Sequence, residues 1–187
     1  MRVALADGMA SLLDADRLVA QARPVVLDIR VPEAPTWDEA EAASPSFAGF
    51  ARHLLPTCFV CGPKIRGDGM RIFPGRTADG EVLAAPWIPD MSLASSDGRV
   101  APEFLWAALD CAGAFAILPP EGRFIVLGEM CARIDGAVLV GDRCVIAAWP
   151  LGVDRRKRLA GTAIFSAAGT LIAAARATWI EIPAPEG

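Results

Sequence analysis

The pattern of apolar and polar positions divides the chain into a long C-terminal part with clear elements and a weaker N-terminal part. After residue 57, apolar runs rich in β-branched and aromatic residues alternate with glycine-containing turns, which predicts strands. The predicted strands are Met70–Phe73, Val82–Trp87, Phe124–Ile134, Arg143–Trp149, Leu159–Ser166 and Leu171–Ile182. Because they follow one another along the chain with a single helical interruption, we expect a mostly antiparallel sheet.

The interruption is a helix predicted from Glu103 to about Leu118. Pro102 suits the first turn of a helix, and Pro119–Pro120 ends it. Between Phe104 and Pro120 the segment is apolar on every side except at Asp110. A helix of this composition is normally surrounded by protein, so we expect a sheet curled around it.

The N-terminal part is expected to hold a β-hairpin and a connector. Ser11–Val31 predicts two strands within residues 1–31, and the proline- and acid-rich residues 32–56 predict a connector to a main domain at 57–187. Residues 13–29 resemble residues 165–182 when one gap is allowed. The hairpin is therefore either a remnant of a repeated unit or an alanine-rich hairpin that matches by coincidence.

The composition suits a folded chain without a membrane or nucleic-acid partner. The 187 residues are 53% hydrophobic and 21% charged, which excludes wholesale disorder. No apolar run reaches the roughly 18 residues of a spanning helix, and Asp7 and Asp14 interrupt any signal-peptide core. We therefore expect a cytoplasmic protein. A net charge of −4 argues against a broad nucleic-acid surface.

One local basic cluster remains, formed by Arg155, Arg156, Lys157 and Arg158. Adjacent cations of this kind can bind phosphates, because the arginine side chain presents a fork of N–H donors. Taken alone, however, such a cluster is more often a solvated loop, and that interpretation is favoured from the residues.

Asp110 is the strongest candidate for chemistry. Burying an unpaired carboxylate costs several kcal/mol, so Asp110 must be paired, protonated or facing a cleft. A general base or nucleophile and a structurally bonded carboxylate are equally open. Glu103 lies seven residues earlier on the same helix face, about 10.5 Å away along the axis. An active site spanning both is open, although an acid in the first turn more simply complements the helix dipole.

The five cysteines include one CxxC motif, Cys58 and Cys61. A zinc site needs four ligands, and the chain has no second CxxC motif. His53, Cys111, Cys131 or Cys144 could complete one, but their spacing fits no standard pattern. We therefore predict no metal and no cofactor, and assign the motif to turn formation and core packing. With a single histidine, histidine-dependent nucleophilic triads are also disfavoured.

Three stretches resemble hotdog-fold proteins of the acyl-CoA thioesterase superfamily, and most closely its phenylacetate-type (PaaI-like) branch, over about residues 57–182. They are the Cys58–Gly62 turn with Gly69–Ile72, the helix segment Trp106–Gly113, and the closing hairpin from Arg156 to Trp179. The resemblance implies an α+β fold in which a curled antiparallel sheet wraps around one long central helix. It also implies subunit pairing, so we expect a homodimer or a higher homo-oligomer.

The resemblance gives several positions an expected role. Asp110 falls where relatives place the carboxylate that attacks the thioester or activates water. The basic cluster falls where relatives often meet coenzyme A phosphates. Trp106 and Phe115 are expected to supply apolar walls for an acyl chain.

The start of the helix departs from the pattern of the family. Relatives commonly open it with His-Gly-Gly, whereas this chain has Ala101, Pro102 and Glu103, and Pro102 has no N–H to donate. Two functions therefore stay open. One is hydrolysis of an acyl-CoA or related acyl thioester. The other is a non-catalytic hotdog module that binds an acyl or CoA ligand or serves in assembly.

Overall fold

The computed structural model describes residues 1–53, 55–64 and 69–184. In this part of the chain the strands are β1 Arg2–Ala6, β2 Met9–Asp14, β3 Arg17–Ala22, β4 Gly75–Arg76, β5 Leu83–Trp87, β6 Arg123–Ile134, β7 Cys144–Asp154, β8 Lys157–Ser166 and β9 Leu171–Pro183. The α-helices are α1 Trp37–Ala43 and α2 Pro102–Ala116. Neither of these helices is long and apolar enough to cross a membrane.

The main body is a six-stranded antiparallel sheet with α2 packed across one face. The strand order is β4-β5-β7-β8-β9-β6, and α2 lies mainly against β7, β8 and β9. The predicted α+β architecture, an antiparallel sheet around one long helix, is confirmed. The predicted helix and the last four predicted strands agree with the observed elements to within a few residues, except that β7 continues five residues beyond its predicted end.

Both faces of the sheet are covered, as β7 illustrates. Ile146 and Ala148 belong to the core beneath α2, whereas Val145 and Ala147 pack on the opposite face with Ala40 of α1. The proline- and acid-rich segment therefore contributes a core layer. A capping box at Thr36 begins α1, a short helix within the segment predicted as a connector.

The helix α2 approaches the sheet closely through small residues. A Cβ atom on Gly113 would lie 3.2 Å from Thr162 Cγ2 and 3.3 Å from the Cβ of Ala160. Leu105 is buried on this side, but Trp106 on another side is 39% exposed. The expectation that α2 is enclosed all round is therefore wrong within one chain, because the sheet covers only part of its circumference.

The N-terminal strands form a sheet of their own, in the order β1-β2-β3. The predicted hairpin is confirmed as β2 and β3, and β1 is an additional strand. The predicted extension of the second strand to Val31 is wrong, because β3 ends at Ala22. Beyond it, Leu27 is buried against Cys131 and Ala174 of the main sheet. The apolar pattern of residues 23–31 thus reflects packing onto a face of the main sheet, not strand pairing. Whether the hairpin descends from a repeat stays a prediction.

The predicted strand Met70–Phe73 is also wrong. The N–H of Met70 donates to the Phe59 carbonyl at 2.8 Å, and the N–H of Ile72 donates to the Val60 carbonyl at 2.9 Å. Arg71 between them has a φ of +56°. The segment is therefore fastened to the loop that carries the CxxC motif, and the first strand of the main sheet is only β4.

Candidate active site

Asp110 lies near the middle of α2 with its carboxylate largely withdrawn from solvent. Its Oδ1 is buried and has no hydrogen-bond partner among the described residues. Burial, reinforced by the negative charge of nearby Cys58, raises the pKa of Asp110 to about 6. A buried carboxylate oxygen without a donor can accept a proton from water or attack an electrophilic carbon.

Trp106 precedes Asp110 by one helical turn and therefore lies on the same side of α2. It lines a groove whose other walls are residues 129–132 of β6, the end of β3 with the residues that follow it (21–25), and Met9 of β2. Glu103, at the start of the helix, is exposed on this side. Helical spacing puts Glu103, Trp106 and Asp110 along one face of α2, and of these three residues only Trp106 lines the groove.

The start of α2 offers few backbone donors. Ala101 precedes the helix without a side-chain cap, and Pro102 occupies the first turn. The N–H of Phe104 donates to the Ala101 carbonyl at 3.0 Å. Because Pro102 has no N–H, the amide of Glu103 is the donor at this end best placed to reach a ligand carbonyl.

Phe115 is placed in an aromatic cluster. Its ring centroid lies 4.4 Å from that of Phe47 and 5.5 Å from that of His53. Phe73 joins the same cluster through Phe47. Phe115 therefore packs the segment after α1 against α2, on a different side from the Trp106 groove.

The basic cluster lies at the hairpin between β7 and β8. Arg155 is in the turn with a φ of +54°, and Arg158 forms an ion pair with Glu181 of β9. Arg123 approaches the same carboxylate at 3.8 Å. Arg158 is thus held in a partly buried ion-pair network, unlike the adjacent exposed cations Arg156 and Lys157.

The cluster lies at the opposite end of α2 from Glu103. The Thr162 hydroxyl contacts the Leu109 carbonyl, and Ala160 faces Gly113 one turn later. The strand β8 therefore runs antiparallel to α2, and residues 155–158 lie near the C-terminal end of α2. Within one chain, the structure does not bring the basic cluster to the end where Glu103 lies.

Three thiols form a group beside Asp110: the two of the CxxC motif and Cys111, which was one of four residues that could join the motif from the sequence. The sulfurs of Cys58, Cys61 and Cys111 all lie within 4.8 Å of one another, and Cys58 Sγ is 3.6 Å from Cys111 Sγ. Hydrogen bonding from the Cys111 thiol and from backbone N–H groups lowers the pKa of Cys58 to about 4. The same thiol contact raises the pKa of Cys111.

His53 completes the surroundings of the thiols. Its Nε2 lies 3.3 Å from Cys61 Sγ, and its Nδ1 accepts the N–H of Leu55 at 3.0 Å. Since Nδ1 is an acceptor, Nε2 carries the ring hydrogen and donates it to Cys61. Only the CxxC spacing could have pointed to this group, because Cys111 is 50 residues further along the chain.

Neither a family model nor a curated protein matches the chain, but solved structures do. A thioesterase from Haemophilus influenzae superposes with a TM-score of 0.55 at 18% identity, over 63% of this chain and 82% of its own. A hypothetical thioesterase from Streptococcus pneumoniae, solved with coenzyme A, gives 0.50 at 15%, over 57% and 85%. The E. coli PaaI protein from the phenylacetic acid degradation operon gives 0.50 at 14%, over 55% and 73%. The chain therefore has the hotdog fold that these thioesterases share.

Proposed function

We propose that the protein hydrolyses an acyl-CoA or a related acyl thioester, with Asp110 as the catalytic carboxylate. The observation that carries the proposal is the buried, unpartnered Oδ1 of Asp110 at the middle of the central helix. The fold supports it, because structures of the same fold are thioesterases and one of them was solved with coenzyme A. A carboxylate oxygen held away from water and without a hydrogen-bond donor is a costly feature that catalysis would explain.

Two hydrolytic mechanisms are consistent with the position of Asp110. As a nucleophile, Asp110 attacks the thioester carbon, the C–S bond breaks, and CoA leaves as a thiolate; water then hydrolyses the acyl anhydride. As a general base, Asp110 takes a proton from a water molecule that attacks the same carbon directly; the C–S bond then breaks, and the departing CoA sulfur takes the proton back from Asp110. In both routes the N–H of Glu103, with the helix dipole, would stabilise negative charge on the carbonyl oxygen.

The ligand would lie along the Trp106 face of α2, with its acyl group against Trp106. The phosphates of CoA would meet Arg155, Arg156 and Lys157. Because these cations lie at the far end of α2 from Glu103 in one chain, we expect them to reach the ligand across a subunit interface. The proposal therefore includes a homodimer whose interface covers the exposed side of α2.

The alternative is a non-catalytic hotdog module that binds an acyl or CoA ligand or serves in assembly. The first turn of α2 favours it specifically. Pro102 removes one N–H from the end of the helix where a thioester carbonyl would be polarised. A carboxylate on Glu103, in the same first turn, would repel negative charge developing on a carbonyl oxygen held there.

A panel assay separates the two functions. Free CoA released from aliphatic and aromatic acyl-CoA thioesters would be quantified by chromatography, with ligand binding measured on the same samples by calorimetry. We expect the wild type to hydrolyse at least one thioester of the panel. We expect Asp110→Ala to bind ligand but to release CoA at least about 100-fold more slowly than the wild type, and these two results together would support the proposal. Ligand binding with no turnover of any thioester by the wild type favours the module.

A further inference from the structure

We propose that Cys58, Cys61 and Cys111 form a three-thiolate site for Zn²⁺. The proposal rests on the placement of the sulfurs and does not depend on thioester hydrolysis. Their three Sγ atoms lie within 4.8 Å of one another, and one pair is 3.6 Å apart. Zinc–sulfur bonds of 2.3 Å in tetrahedral geometry place sulfurs about 3.8 Å apart. The group thus needs only small side-chain rotations to surround one ion.

The backbone of the CxxC loop presents both of its thiols to one side. The N–H of Gly62 donates to the Cys58 carbonyl at 2.8 Å, which closes a tight turn. A Cβ on Gly62 would lie 2.5 Å from the backbone N and O of Cys58, so only glycine fits. Backbone N–H groups of Val60 and Cys61 also point to Cys58 Sγ. Such N–H groups stabilise a metal-bound thiolate as they would a free one.

The third thiol comes from α2 and gives the site its structural consequence. Cys111 follows Asp110 directly, so an ion here would tie the CxxC loop to the middle of the central helix. Among the described residues, the CxxC loop and residues 69–74 lie outside the strands of the main sheet. A metal cross-link between loop and helix would replace the strand pairing that this part of the fold lacks.

His53 would act on the site through Cys61. Its Nε2–H donates to Cys61 Sγ, while Nδ1 is occupied by the N–H of Leu55. In this tautomer the imidazole supports a thiolate ligand and leaves the fourth coordination position to water. Thiolates select Zn²⁺, Cu(I) and iron–sulfur clusters, and of these Zn²⁺ has no redox chemistry, which suits a site with a structural role.

The first test is the metal content of the full chain, purified without chelators and measured by inductively coupled plasma mass spectrometry. We expect one zinc per chain, lost in Cys58→Ser, Cys61→Ser and Cys111→Ser. Cys131→Ser is the matched control, because Cys131 is buried outside the group, and it should keep its zinc. His53→Gln, which can still donate a hydrogen bond, should bind zinc at most about 100-fold more weakly.

A second measurement covers the case in which a cysteine variant fails to fold. The wild-type protein would be alkylated with and without chelator, and modified cysteines identified by peptide mass spectrometry. We expect zinc to protect Cys58, Cys61 and Cys111 together, and Co²⁺ in its place to give thiolate charge-transfer absorption. The proposal would be overturned if the protein held no zinc after dialysis against a zinc salt. It would also be overturned by a Cys58–Cys111 disulfide under non-reducing conditions, or if Cys131→Ser lost as much zinc as Cys58→Ser, Cys61→Ser and Cys111→Ser.

Discussion

The hydroxyl of Thr162 on β8 donates a hydrogen bond of 2.8 Å to the main-chain carbonyl of Leu109, one residue before Asp110. Thr162 is the one polar residue in the buried set of the described chain. A helix carbonyl already accepts an N–H from the next turn, so this bond is additional to those that form the helix. It fixes the depth at which the proposed catalytic carboxylate sits above the sheet.

Replacing Thr162 with valine should destabilise the protein measurably. Thr162→Val keeps the shape of the side chain but removes the hydroxyl, and a buried hydrogen bond of this kind contributes about 1 kcal/mol. Urea denaturation followed by circular dichroism would measure the change. Thr170→Val, at an exposed turn position, is the matched control and should change the free energy of unfolding by less than about 0.5 kcal/mol. Equal stability of both variants would show that the bond is not formed.

The turn of the CxxC loop should not tolerate a side chain at residue 62. Gly62→Ala would push its Cβ against the backbone of Cys58, which cannot rotate away, and we expect a loss of about 1–3 kcal/mol. Gly136→Ala is the control, because its Cβ would make an ordinary 3.4 Å contact with Ile172. Thermal unfolding of both variants checks the difference, and an unchanged midpoint for Gly62→Ala would refute the tight turn.

The basic cluster should divide into a structural arginine and three ligand-binding cations. Arg158→Gln leaves the partly buried Glu181 with only the more distant Arg123 as an ion-pair partner, so we expect about 1–2 kcal/mol of lost stability. The triple change of Arg155, Arg156 and Lys157 to glutamine should leave stability unchanged. It should weaken CoA-thioester binding, and more so at low salt, because screening is smaller there.

Titration calorimetry at two salt concentrations, with urea denaturation of each variant, separates the two roles. If the triple variant binds CoA thioesters as tightly as the wild type at low salt, the three cations form a solvated loop. If Arg158→Gln unfolds at the same urea concentration as the wild type, the ion pair between Arg158 and Glu181 contributes nothing to the free energy of unfolding.

We expect the homodimer interface over α2 to extend onto β6, one of the two edge strands of the main sheet, because β6 and Trp106 of α2 line the same groove. Val126 and Leu127 on this strand are 38% and 40% exposed, and an uncovered apolar edge normally finds a partner. Sedimentation equilibrium at micromolar concentration should give about twice the chain mass of 19.7 kDa. Val126→Lys should dissociate the dimer, whereas Val3→Lys, at an exposed position of β1, should not. A wild-type monomer would rule out the proposed interface.

Much of the fold could be predicted because its signals are local. The prolines flanking α2 set both of its ends, and the Ala168–Gly169 turn sets the closing hairpin. The three residues Glu103, Trp106 and Asp110 share a face because helical spacing alone requires it. These features depend on residues close together along the chain, so the local sequence is enough to predict them.

The remaining features depend on contacts that no local pattern encodes. Leu27 and Ile72 lie in apolar stretches that resemble strands, but the first packs on a sheet face and the second bonds to a loop. The pairing of Cys111 with the CxxC thiols depends on where the loop after α1 meets α2. The open side of α2 at Trp106 depends on how completely the sheet curls, which the apolar sequence of the helix does not reveal.

The most direct test of the central claim compares CoA release by the wild type, Asp110→Asn and Glu103→Gln under single-turnover conditions. Asp110→Asn preserves shape but can neither attack the thioester nor accept a proton, so the account predicts a rate at least about 100-fold below that of the wild type. Glu103→Gln keeps its backbone N–H and should stay within about 10-fold of the wild type. Circular dichroism and CoA binding would confirm that both variants are folded. Hydrolysis by a folded Asp110→Asn at the wild-type rate would contradict the assignment of Asp110 as the catalytic carboxylate.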